Sequence, residues 1–182
     1  MVGTILAALA LLAVIGLASL VRARRILARL DREIAKSWQE LLSALHERLE
    51  ALEELSLALR SAGYVPEGIG RLREALDWLR KSTGDPRALA EADERVEAVL
   101  RGIYRALPRE RDERVRQAQN RLAEADEELD LKKHRYNELV LNWYELTRGF
   151  AYKFFLRGRK GPEPFAVPGE EEGLVRRHLP TL

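Results

Sequence analysis

LARLDREIAKSWQELLSALHERLEALEELSLAL, residues 27–59, decides the fold. Apolar side chains stand at Leu27, Leu30, Ile34, Trp38, Leu41, Leu45, Leu49, Leu52, Leu55 and Leu59. Every step is three or four, the repeat of one helical face. Glu33, Lys36, Glu40, Glu47, Arg48, Glu50 and Glu54 fill positions between them, and neither proline nor glycine interrupts before Gly63. The spacing predicts one long amphipathic helix whose apolar stripe needs partners.

Those partners follow in the chain. Ser61-Ala62-Gly63-Tyr64-Val65-Pro66 reads as a turn, with Gly63 free to take a positive φ and Pro66 suited to a helix start. Ile69, Leu72, Leu76 and Leu79 continue the helical repeat. Ser82-Thr83-Gly84-Asp85-Pro86 then interrupts it, Asp85 being a natural N-cap, and Leu89, Val96, Leu100, Ile103 and Leu107 carry it on to Pro108. A last run has Val115, Ala118, Leu122, Ala125, Leu129, Tyr136, Val140, Trp143, Thr147 and Phe150, with one position missed at Lys132-Lys133. Segments 22–62, 66–107 and 109–150 are nearly equal, each about 60 Å long at helical rise. The expected fold is all-α: an N-terminal transmembrane helix, then an elongated antiparallel bundle of three long rods, the middle one broken near Gly84. In that arrangement Pro108 returns to the membrane and Phe150 lies far from it.

Upstream, Val2 to Val21 carries no charged side chain, and Arg22, Arg24, Arg25 and Arg29 follow. A helix of that length covers roughly 30 Å, the thickness of a bilayer's hydrocarbon core. A cleaved signal peptide would put its positive charge before the apolar core, whereas here only Met1 precedes it. Membrane-proximal arginines stay cytoplasmic, so the N-terminus is expected outside and the remaining domain inside. The expected organisation is an anchor over 1–21, a helical domain over 22–152 and a flexible tail over 153–182. In that tail, Tyr152-Lys153-Phe154-Phe155-Leu156-Arg157 is expected to cap the bundle end, and Gly161-Pro162-Glu163-Pro164 cannot stay helical.

Composition narrows the chemistry. The 182 residues hold 31 Lys+Arg against 29 Asp+Glu, a net charge of +2, and acidic side chains interleave the basic ones along every helix. Nucleic acid is therefore not an expected partner, whereas the basic cluster after the apolar run suits anionic lipid headgroups. With no cysteine there are no disulfides, thiolate nucleophiles or Cys-ligated metals. His46-Glu47 opens like a zinc-protease motif, but Glu50 stands where its second histidine belongs. Gly68-Ile69-Gly70 lacks the third glycine of a dinucleotide loop. Asp130, His134 and Glu138 share a helix face at steps of four, a spacing that ordinary charge pairing explains without a metal. No cofactor and no catalytic activity are expected.

Several segments resemble the LemA family of bacterial membrane proteins. Trp38, Leu45 and Arg48 have the spacing of its tryptophan, leucine and arginine block, and Arg135-Tyr136-Asn137-Glu138-Leu139-Val140 is similar to its Arg-Tyr-Asn-x-x-Val signature. Leu129 and Lys133 precede that signature at matching offsets, and Pro164-Phe165 with Glu170-Glu171-Glu172 resembles its tail. Leu52-Glu53-Glu54-Leu55 replaces the family's proline-containing segment, and Trp143-Tyr144 its second Tyr-Asn. The first departure implies a straighter first rod. The resemblance implies a retained anchor in the bacterial inner membrane, an antiparallel helical domain and no established reaction. Its hallmark residues here are Trp38, Arg48, Tyr136 and Asn137, expected to serve structure.

The functional expectation is a membrane-anchored scaffold or adaptor at the cytoplasmic face, binding unidentified proteins and open to self-association. A ligand sensor opening at Ser82–Pro86 is the alternative, followed by a metalloenzyme using Asp130, His134 and Glu138.

Overall fold

The computed structural model describes residues 2–64, 66–149, 152 and 160–167, with side chains from residue 9 onward except at 66. Its order is α1 (Val2–Ser61), α2 (Pro66–Lys81), α3 (Pro86–Ala106) and α4 (Glu113–Thr147). No strand occurs among the described residues, so the chain is all-α.

The apolar positions of residues 27–59 line the interior, with Leu30 and Trp38 half-buried and the others buried. Ile69, Leu72, Leu76 and Leu79 meet them from α2, Leu89, Val96, Leu100 and Ile103 from α3, and Val115, Leu122, Leu129 and Val140 from α4. Gly63, at φ 72°, ends α1, where Gly63 N donates to Arg60 O at 3.1 Å and Tyr64 N to Leu59 O at 2.9 Å. Only a residue tolerant of the left-handed region suits that point.

Four helices replace the expected three rods. In a straight middle rod, Trp78 and Arg95 would stand about 25 Å apart. Instead the Arg95 guanidinium lies 4.4 Å from the centre of the Trp78 ring, because residues 82–85 reverse the chain and lay α3 along α2. Ser82 Oγ donates to Trp78 O at 3.0 Å, closing α2, and Asp85 accepts from Arg87 N at 2.9 Å, opening α3 afresh. The reason for reversal is burial. α2 and α3 each carry an apolar stripe, and folding them together covers both.

α4 runs back along α1 over its whole length, through Arg121–Glu54, Arg48–Asp126, Arg135–Glu40 and Trp143–Asp31. The result is an up-down-up-down bundle of two close pairs, α1 with α4 and α2 with α3. This inverts the expected axial layout. Pro108 lies at the end farthest from the apolar run, and Thr147 comes back toward Asp31.

Two expectations about the ends meet the structure differently. Among the described residues no helix is long and apolar enough to cross a membrane. The side chains of residues 1–8 lie outside the described set, so the apolar stretch there runs only from Leu9 to Val21, about 20 Å of helix. The expected flexible tail is in part an ordered strap: Pro164, Phe165 and Ala166 are buried against the α1–α4 pair. Of the basic-aromatic cluster, residues 153–157 lie outside the described residues, as do Glu170-Glu171-Glu172.

Candidate functional site

Leu41, Leu45, Arg48, Leu52, Leu55 and Leu59 follow one another in alternating steps of four and three. Arg48 therefore occupies a core position, and it is 1% exposed. Asp93 does the same in α3, standing between Leu89 and Val96 on the same repeat. The two meet in the interior: Arg48 Nη1 donates to Asp93, Nη2 to Glu97 and Nε to Asp126. Lys133, at the break in the α4 stripe, donates to the other Asp93 oxygen at 2.8 Å. One guanidinium thus ties α1 to α3 and α4, while Asp93 is shared between two cations.

Burial, the largest influence on Arg48, favours its neutral form, yet Asp93, Asp126 and Glu97 outweigh it and raise its pKa above the ordinary value. Tyr104 nearby is also raised, first by burial and then by the Asp126 and Glu97 carboxylates. Any other pairing or register of α1, α3 and α4 would break these bonds. Charge arrangements of this kind contribute little net stability over an apolar core, but a wrong register leaves a buried charge alone.

Toward the apolar run the α2–α3 hairpin ends, and the strap takes its place on the α1–α4 pair. Pro162 and Pro164 have no N–H to satisfy and disfavour helix in the residues before them, so Gly161–Ala166 is neither helix nor strand, bends at Phe165 and asks little of the apolar face. Three side chains of α4 grip its backbone. Tyr136 Oη donates to Glu163 O at 2.8 Å, and Tyr144 Oη donates to Pro162 O at 3.1 Å. Asn137 bonds Phe165 twice, donating from Nδ2 to the carbonyl at 3.0 Å and accepting the N–H at 2.8 Å. A Cβ at position 161 would sit 2.8 Å from Tyr144 Oη and 2.9 Å from the Trp143 ring, so any other residue there forces those side chains to shift. Lys133 Nζ lies 5.3 Å from the Phe165 ring centre, linking strap and charge cluster.

The Tyr136 ring packs 5.3 Å from Trp38, tilted by 50°. Burial first, then the Glu163 carboxylate and Tyr144, push its phenol up to about 12, so it remains a donor at any physiological pH. Beside this pair an open cleft of about 320 Å³ is lined by Asp31, Ile34, Trp38, Pro86, Tyr136 and Gly161.

The structure therefore gathers Trp38, Tyr136 and Asn137 around the strap and sets Arg48 in a separate charged layer, with Lys133 between. Sequence reasoning missed Asp93, Glu97, Asp126, Tyr144 and Gly161. Asp93 had a visible signal, a carboxylate in an apolar register; the others had none. Arg22, Arg24, Arg25 and Arg29 are exposed, the last paired with Glu33 at 2.9 Å. Asp130, His134 and Glu138 do not converge: Asp130 takes Lys133 at 3.3 Å, and His134 pairs with Glu138 at 3.2 Å. Among the described residues no group of three His, Asp or Glu side chains is arranged to hold a metal. No protein-family model and no curated protein matches this chain.

Proposed function

We propose that this chain is a LemA-like, membrane-anchored helical scaffold without catalytic activity, holding protein partners at the cytoplasmic face of a bacterial inner membrane. The anchor is Val2–Val21, inserted with the N-terminus outside, and Arg22, Arg24, Arg25 and Arg29 rest among anionic headgroups. One observation carries this reading. α1 runs unbroken from Val2 to Ser61, and Leu11, Leu12, Val14 and Leu17 are each more than 60% exposed before the helix enters the bundle. A bare apolar shaft joined rigidly to a charged bundle fits lipid far better than water. The resemblance through Trp38, Arg48, Tyr136 and Asn137 supports the family assignment, since these residues join into the strap site and the charged layer.

Reporter fusions at Leu182 test the topology. A cytoplasmic reporter becomes active on this reading, and periplasmic activity refutes it. Proximity labelling from the same position tests the scaffold role; a profile equal to that of an unrelated anchored bundle refutes it.

A second reading, a ligand sensor, draws on the open cleft beside Pro86. The segment such a sensor would open, Ser82–Pro86, is the turn that lays α3 along α2.

A further inference from the structure

The strap is held in the way a receptor holds a peptide. Its bonds run from side chains of α4 to the strap's backbone, its one large anchor is Phe165, and a Cβ at 161 would press on Tyr144 and Trp143. Backbone recognition with one apolar anchor is the physics by which grooves dock peptides. Nothing in this geometry requires strap and groove to belong to the same molecule.

The connection permits exchange. Pro162 O is bonded to Tyr144, so strap and α4 meet close to the end of that helix. Twelve residues, 148–159, join Thr147 to Lys160, a reach of about 40 Å if fully extended. A segment joined by a chain of this length to a binding site on its own fold is the arrangement from which identical chains swap elements.

We propose that the α1–α4 groove around Trp38, Tyr136, Asn137 and Tyr144 is a receptor for a Gly-Pro-x-Pro-Phe segment. It is occupied in cis by residues 161–166 and, when its own strap is released, in trans by that segment of a second copy. Self-association is then switchable. A copy whose strap leaves offers both a free groove and a free ligand. The cis strap competes at the high effective concentration that a 12-residue connection gives, on the order of millimolar, so exchange belongs to crowded copies.

Complementing full-length variants in detergent micelles test this. The acceptor, Gly161→Leu with Phe165→Ala, keeps the groove and has a strap that cannot dock. The donor, Tyr136→Phe with Asn137→Ala, keeps the strap and loses three of the four bonds that hold it. With the two carrying different fluorophores, energy transfer on mixing should exceed that of either variant labelled both ways by about tenfold. A peptide of residues 160–167 should reverse it. Mixing that gives no more transfer than the separate variants, with helical circular dichroism intact, overturns the proposal. Should either double variant fail to fold, Phe165→Ala alone is titrated with the labelled peptide. Binding at least tenfold tighter than to wild type supports the groove as a receptor, and equal binding overturns it.

Discussion

Replacing Arg48 by methionine keeps most of the side-chain volume and removes the charge that α1, α3 and α4 share. Breaking a buried ion pair from one side costs about 3–5 kcal/mol, because the remaining charge stays buried and unpaired. Here the loss falls unequally. Asp93, with its side chain 8% exposed, keeps Lys133 at 2.8 Å, while the Glu97 and Asp126 side chains, 41% and 38% exposed, can turn toward water. The expected cost is therefore near the lower end, about 3 kcal/mol, or a Tm lower by about 6–12 °C for a domain of this size. Adding Asp93→Leu should restore most of it, since an apolar pair in place of a buried ionic one is often neutral. The assay is urea unfolding of the full chain in micelles, followed by circular dichroism, for both single variants and the double. Two results would refute the reasoning: a loss under about 1 kcal/mol for Arg48→Met, or a double variant that merely adds the two single losses.

Tyr136→Phe should cost about 1 kcal/mol by removing the bond to Glu163 O. The Tyr136 phenol is raised to about 12 in the fold, so its contribution is complete below the unfolded tyrosine pKa and is lost as pH rises through the folded value. Urea midpoints taken from neutral to strongly alkaline pH should show that decline in wild type and a shallower one in the variant. Gly161→Ala should loosen the strap, because the new methyl meets Tyr144 and the Trp143 ring below 3.0 Å, and limited proteolysis should cut residues 160–167 faster. Asp85→Ala removes the α3 N-cap and should lower stability by about 1 kcal/mol, read as a shift in the urea midpoint without a change in slope.

The helical stripes were legible because each apolar position must face a neighbour, and that requirement writes itself into spacing. Leu27 through Leu59 and Ile69 through Leu79 declare their faces directly. The angle at Ser82–Asp85 was not legible. A capped turn stops one helix and starts another without stating a direction; the need to cover the stripes of α2 and α3 chose reversal. From that one choice follows the inverted placement of Pro108 and Thr147. The charged layer was half visible, as Arg48 and Asp93 interrupt repeats that demand leucine, and the gap at Lys132-Lys133 marks where Lys133 crosses to them. The strap's lack of helix was legible in its glycine and prolines, and its docking on the bundle was not. Its partners lie 18 to 28 residues upstream and touch its backbone, which carries no signature in side-chain pattern.

Because α4 returns alongside the beginning of the bundle portion of α1, the two ends of the bundle lie side by side. A pull on the C-terminal segment against the apolar run does not shear the long α1–α4 seam as one unit. It opens the seam like a zip: the Phe165 and Glu163 contacts go first, then Trp143–Asp31, then Arg135–Glu40, each carrying the load in turn. The same pull applied at the far tip, between the α1–α2 turn and the Pro108 loop, would meet the core leucines and the Arg48 layer. Under a load on the C-terminal segment, the first thing to yield is the strap.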